Sequence, residues 1–170
     1  TPLFHGCSTS SSLCVRQLLG QQDINVNVVE TETGLTPLAH ACHLGHLECV
    51  KLLVTDNRID VNHADKQGRT PLFHGCSTSS SLCVDIVTAL LSMNNIVINK
   101  ADNRGLTPYG VAMESSNQDA AKMLKDKDSQ LSIFDRVVYD ARVKAYIDEN
   151  GTEIAEIATK LCVEVNEIVC

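Results

Sequence analysis

Residues 1–15 and 70–84 are the same string, TPLFHGCSTSSSLCV, without a mismatch. A self-match at this separation constrains the fold more than any local pattern, because repeated strings of this length mark stacked structural units. Between the two copies Thr36-Pro37-Leu38 opens TPLAHAC, and beyond them Thr107-Pro108 opens TPYGVAM. The four Thr-Pro openings lie 35, 34 and 37 residues apart, enough for one helical hairpin and a connector in each unit. Such a chain builds its core by stacking neighbours and not around a single centre.

The second unit shows the local logic best. Pro37 falls in the first helical turn, where its missing N–H is not needed, and a short first helix runs from Leu38 to Leu44 before Gly45 stops it. A second helix over Glu48 to Thr55 carries Cys49, Val50, Leu52, Leu53 and Val54, too apolar for a lone surface helix, so neighbouring units must cover it. Ile59-Asp60-Val61-Asn62 then reads as extended, and Asp65-Lys66-Gln67-Gly68 as a turn leading into Thr70-Pro71.

Gly34-x-Thr36-Pro37-Leu38, Ala41, Gly45-His46-Leu47-Glu48, Val50-Lys51-Leu52-Leu53 and Asp60-Val61-Asn62 resemble the ankyrin repeat pattern nearly position for position. The resemblance covers residues 1 to about 128. It implies an all-α, ankyrin-type solenoid of stacked helix pairs with projecting β-hairpin turns, serving protein–protein contact without catalytic residues. Four units follow, 1–35, 36–69, 70–106 and 107–128, with 129–170 as a C-terminal helical segment.

The departures from that pattern carry physical expectations. Gly6 and Gly75 stand where the family has a mid-helix Ala, at about 0.5–1 kcal/mol each. The serine-rich loops Ser8–Ser12 and Ser77–Ser81 lack the Gly-His stop, so the first and third units should be the weaker ones. The third unit has three residues more than the second; either Leu82-Cys83-Val84 lengthens its second helix or the connector is longer. In the fourth unit the helix Asp119 to Lys127 keeps only Ala120, Ala121, Met123 and Leu124 as apolar members, as a terminal repeat with a solvated outer face requires.

His5, His40 and His74 recur at one place in the repeat. Packed histidines bonded to backbone carbonyls account for them better than a metal ion, since one imidazole per unit spaces them too widely for shared coordination. Cys7 and Cys14, Cys42 and Cys49, and Cys76 and Cys83 fall at repeat-equivalent places, seven residues apart in each pair. They read as small apolar slots on paired helices. No Cys-x-x-Cys occurs, and the expected compartment is reducing, cytoplasmic or nuclear.

The formal charge is −7, and no Lys/Arg cluster offers a footprint for a phosphate backbone. No apolar run approaches the roughly 18 residues of a membrane helix. Nucleic acid and membrane are therefore not expected as partners. Thr1 opens inside a repeat motif, so the chain reads as part of a longer one.

Beyond residue 129, Leu131, Ile133, Phe134, Val137, Val138 and Ala141 follow a helical period to about Ala145, a segment expected to dock on the last repeat. Residues 146–170 resemble a truncated LysM module through Tyr146, Gly151, Ile154, Ile157, Ala158, Val163, Val165 and Ile168. A helix-turn-helix resemblance through Ile157-Ala158-x-x-Leu161-x-Val163 meets acidic Glu164 and Glu167 where a DNA reader needs bases. A plain capping helix pair is the leading reading of this stretch, with the LysM-like segment as the alternative.

No nucleophile, base and orienting acid are set out together, and neither an enzyme activity nor a cofactor is expected. The leading reading is a monomeric scaffold that binds another protein through positions that vary between units. These are the turn residues Glu32, Thr33, Leu35, then Lys66, Gln67, Arg69, then Asn103, Arg104, Leu106, and the first-helix ends His43 and Leu44 against Ser77 and Thr78. Together they should line the concave side, with Arg69 and Arg104 as anchors for an acidic or extended segment. The alternative is the targeting arm of a larger enzyme or carbohydrate-binding protein whose active part lies in the tail or in flanking sequence. The resemblance also implies that Asn27, Asn62 and Asn99 could be substrates of an asparagine hydroxylase; an amide bonding its own hairpin backbone explains Asn there equally well.

Overall fold

A computed structural model describes residues 2–78 and 81–127, within the compact unit Thr1–Ser129. The expectations placed on the tail, including the docked helix and the LysM-like segment, lie outside the described residues. Eight helices are found among those residues: α1 (Pro2–Ser8), α2 (Ser12–Leu19), α3 (Pro37–Leu44), α4 (Leu47–Val54), α5 (Pro71–Ser77), α6 (Cys83–Leu91), α7 (Pro108–Glu114) and α8 (Gln118–Lys127). Odd-numbered helices pack on their odd neighbours and even on even, while each pair α1/α2, α3/α4, α5/α6 and α7/α8 packs internally. The result is a two-layer stack whose core runs continuously from unit to unit.

The Thr-Pro openings work as helix starts. Thr36, Thr70 and Thr107 sit in extended backbone, and each hydroxyl accepts the N–H three residues on, from Ala39 at 3.2 Å, Phe73 at 3.3 Å and Gly110 at 3.2 Å. Proline follows in the first turn. Because these caps are buried, an apolar residue there would orphan a donor in the core.

The helix stops differ. Gly45 closes α3 in the left-handed region at φ 76°, with the His46 N–H returning to Ala41 O at 2.9 Å. The equivalent places in the first and fourth units are Ser10 at φ 55° and Ser116 at φ 60°, with the same return bonds from Ser11 to Gly6 and from Asn117 to Ala112. The motif that seemed absent from the first unit is therefore present, made by serine in a conformation that costs a residue with a Cβ about 1–2 kcal/mol.

The identical strings fold identically only as far as their first helices. After them α2 begins at Ser12, but α6 begins at Cys83, the counterpart of Cys14. Downstream sequence decides the register. In the first unit Val15 enters the core with Leu18 and Leu19 against it, whereas in the third Ile86, Val87, Leu90 and Leu91 do. The third unit's surplus lies in the connector, which runs over 78–82 against 45–46 in the second unit, while α5 is one residue shorter than α3 and α6 one longer than α4.

Two expectations are corrected here. Gly6 and Gly75 are closest-approach points between paired helices: a Cβ at Gly75 would sit 3.1 Å from Ile86 Cγ2, and one at Gly6 3.3 Å from Val15 Cγ2. Alanine there would press on the second helix, so these glycines do not simply weaken their units. Of the six repeat cysteines, Cys14 is exposed while the other five are buried. Cys49, Ile86 and Ala120 occupy its place in later units and are all 0 % exposed, being covered by the preceding unit; Cys14 has no such neighbour among the described residues.

Candidate functional site

Each connector ends in a finger that turns immediately before the Thr-Pro cap. Its last bend needs φ near +80°, met by Gly34, Gly68 and Gly105. Asp65 organises the second finger: its Oδ1 accepts the N–H groups of Gln67 and Arg69, both at 2.9 Å, and its backbone N–H reaches Arg69 O at 2.9 Å. Asp102 repeats this in the third with Arg104 and Leu106. In the first finger Glu30 stands in that place; its carboxylate takes the Thr33 hydroxyl, and Thr33 Oγ1 in turn accepts the Leu35 N–H at 3.2 Å. Among the described residues no strand forms, so the projecting β-hairpins expected from sequence are side-chain-braced turns, each closed by two backbone bonds.

The fingers are also tied to one another. Lys66 N donates to Thr33 O at 3.1 Å and Asn103 N to Gln67 O at 2.8 Å. Lys66 Nζ reaches Thr31 O at 2.6 Å, and Asn103 Nδ2 reaches Lys66 O at 3.0 Å. The approach is tight enough that a Cβ on Gly68 would lie 2.6 Å from Asn103 Oδ1. The three tips thus form one braced rim.

Of the residues singled out from sequence, Glu32, Lys66, Gln67, Asn103, Arg104, His43 and Leu44 are exposed, and Thr33, Arg69 and Ser77 are half-buried. Leu35, Leu106 and Thr78 are buried, and we correct their assignment as contact residues. Leu35 and Leu106 follow the finger glycine and turn inward to the core. Thr78 ends α5 against the next unit, its carbonyl accepting Asn117 Nδ2 at 3.1 Å. Arg69 shares the place of Leu35 and Leu106, and its guanidinium is spent on Asp65 Oδ2 at 2.8 Å and Gln67 Oε1 at 3.0 Å. It is a finger brace, not the repeat-equivalent of Arg104. Arg104 holds Asp102 at 3.0 Å with its side chain 69 % exposed.

The three in-register histidines meet three environments. His74 is sealed, with Nε2 2.9 Å from Asp65 Oδ2 and its ring edge-on to exposed His43 at 5.4 Å. Burial lowers its pKa to about 4 despite the Asp65 bond, so it is neutral and donates from Nε2. Burial pushes the Asp65 carboxyl up, but the bonds from Arg69 and His74 outweigh this and hold it below its usual value. His40 is half-buried, stacked on Phe4 at 4.3 Å, with Nε2 2.9 Å from Ser8 Oγ. His5 is exposed. Among the described residues the ring nitrogens of His40 and His74 meet the side chains of Ser8 and Asp65 in place of the carbonyls expected. Among the described residues no three His, Cys, Asp or Glu side chains are placed to hold one metal ion.

Several braces were not foreseen. Asn27 Nδ2 donates to Arg58 O at 2.7 Å while its Oδ1 accepts from Asp60 N at 2.8 Å, and Asn62 repeats this with Asn95 O and Val97 N. These amides therefore clip the next unit's loop instead of bonding their own hairpin. The Arg58 guanidinium collects Leu19 O, Gln21 O and Gln22 O at the end of α2. His46 Nδ1 and Asn117 Nδ2, at one repeat place, reach the carbonyls of Cys7 and Cys76 in the preceding units. The sequence signal was positional recurrence of short polar residues at loop ends, visible for Asn27 and Asn62 but not for Arg58, which occurs once.

A family model of ankyrin repeats (3 copies) matches residues 3–102 and, in a second alignment, residues 57–135. It lends no support to the LysM resemblance of the tail. Comparison with curated proteins gives no match to the chain.

Proposed function

The chain belongs to the ankyrin repeat family, whose repeats generally serve as protein–protein interaction modules, and we propose that it binds a partner protein through its finger rim and the exposed ends of its first helices. The observation that carries this reading is the rim itself. Backbone bonds from Lys66 to Thr33 and from Asn103 to Gln67 fix the tips in register, while the side chains facing outward, Glu32, Lys66, Gln67, Asn103 and Arg104, differ from finger to finger. A rigid backbone with unlike exposed side chains spends little ordering entropy on association and leaves specificity to those side chains.

His43 and Leu44 extend the face along α3, Leu44 being 42 % exposed. The test is retention of copurifying proteins by the full chain, by Lys66→Glu/Arg104→Glu, and by Lys51→Glu/Asp85→Lys on the second helices. Loss of the same proteins from the finger variant alone supports the reading; retention by the finger variant contradicts it.

A further inference from the structure

The three fingers are not alike in charge, and their order is fixed by the stack. The first carries Glu30 and Glu32 and no base; the second carries Lys66 and Arg69 against Asp65, and the third Lys100 and Arg104 against Asp102. Burial sharpens this difference. The Asp65 and Asp102 side chains are 0 % and 1 % exposed, each behind its own arginine, whereas Glu32, Lys66, Lys100 and Arg104 are exposed. Lys66 Nζ reaches back to Thr31 O on the first finger at 2.6 Å and Arg69 is paired with Asp65, so the poles of the rim are its first finger, with two carboxylates against one ammonium, and its third, with Lys100 and Arg104.

The two poles are far enough apart to act separately. Packed helices lie about 8–10 Å apart, so successive fingers should be separated by about the physiological Debye length of ~8 Å. An extended chain advances about 3.3 Å per residue, hence about three residues per finger and about six across the rim.

We propose that the rim takes an extended peptide segment in one direction only, with a basic side chain at Glu30 and Glu32 and an acidic side chain about six residues away at Lys100 and Arg104. This rests on the binding face proposed above and adds polarity to it. The reversed segment would set like charges together at both ends, and such juxtaposition governs specificity more than affinity. The inter-finger bonds matter because a rim that could slide would let either orientation re-pair.

The experiment pans short randomised peptides on the immobilised full chain and on a charge-exchanged chain, Glu32→Lys/Lys66→Glu/Arg104→Glu, with a neutral set, Glu32→Gln/Lys66→Gln/Arg104→Gln, should the exchanged chain fail to fold. Peptides enriched on the native chain should segregate basic from acidic residues in a single N-to-C order, and should bind the exchanged or neutral chain at least about tenfold more weakly. Enriched peptides with no common charge order that still lose binding to the variants would overturn the polarity while leaving the face in place. Peptides that bind native and variant chains equally would overturn the face as well. A library yielding no binder also overturns the proposal.

Discussion

His74 Nε2 lies 2.9 Å from Asp65 Oδ2, with the histidine 2 % exposed and the aspartate side chain fully sealed. This bond joins the second finger to the helix it introduces, so the finger rim and the core share one buried polar contact. Its protonation chemistry is accordingly a folding matter.

The first prediction is a pH dependence. Burial lowers the His74 pKa from 6.5 to about 4, so between those values the unfolded chain holds a proton the folded chain does not, and stability rises with pH. The contribution is complete above about 6.5 and is lost as pH falls toward 4, on the order of 3 kcal/mol. Asp65, held below its usual value, adds a loss of the same sign at still lower pH. Urea unfolding at stepped pH checks this: His74→Gln should flatten the slope between pH 6.5 and 4, and an unchanged slope would assign it to other groups.

A second prediction concerns thiols. Burial drives the Cys7 pKa up to about 12 and raises those of Cys42, Cys49, Cys76 and Cys83 as well, leaving five inert thiols. In a Cys162→Ser/Cys170→Ser chain, a maleimide should label Cys14 promptly and the other five only on unfolding. Intact mass showing two or more fast labels would contradict the packing described.

Ser10 and Ser116 supply the third. Both hold left-handed backbone where the second unit uses Gly45, so Ser10→Gly and Ser116→Gly should each stabilise the array by about 0.5–1 kcal/mol. By contrast Gly68→Ala should be strongly destabilising, because its Cβ meets Asn103. Gly105→Ala, with nothing within 4 Å, should lose only the left-handed penalty. Thermal melts of the four variants order them; equal effects at Gly68 and Gly105 would refute the inter-finger contact.

The fold was legible because the Thr-Pro caps and the apolar second helices act locally and recur, and Gly45 marks a helix stop in the second unit. The face was only partly legible. Exposure of a finger residue depends on which way the chain leaves a glycine at positive φ, so Leu35 and Leu106 looked variable but turn inward, and Arg69 looked free but serves Asp65. Cys14 and Cys83 make the limit plain: the same residue in the same fifteen-residue string is exposed in one copy and buried in the other, because the sequence that follows sets a different register for the second helix.

Coupling between units gives the fourth prediction. Leu53 is 0 % exposed in the middle of the stack, and Leu53→Ala should cost about 2–5 kcal/mol. Hydrogen exchange should then show protection lost in α1/α2 and α5/α6 as well as α3/α4. Loss confined to residues 36–69 would mean that the units are energetically independent.

Crosslinking distinguishes a partner seated on the finger rim, as proposed, from one seated on the second-helix layer. Site-specific incorporation of a photo-crosslinking residue in the full chain, at Glu32 on the first finger or at Glu48 on α4, separates the two, since both side chains are exposed and neither carries the core or ties one finger to the next. Crosslinked partner from Glu32 and none from Glu48 is the expected result; crosslinks from Glu48 with none from Glu32 would overturn the proposed face.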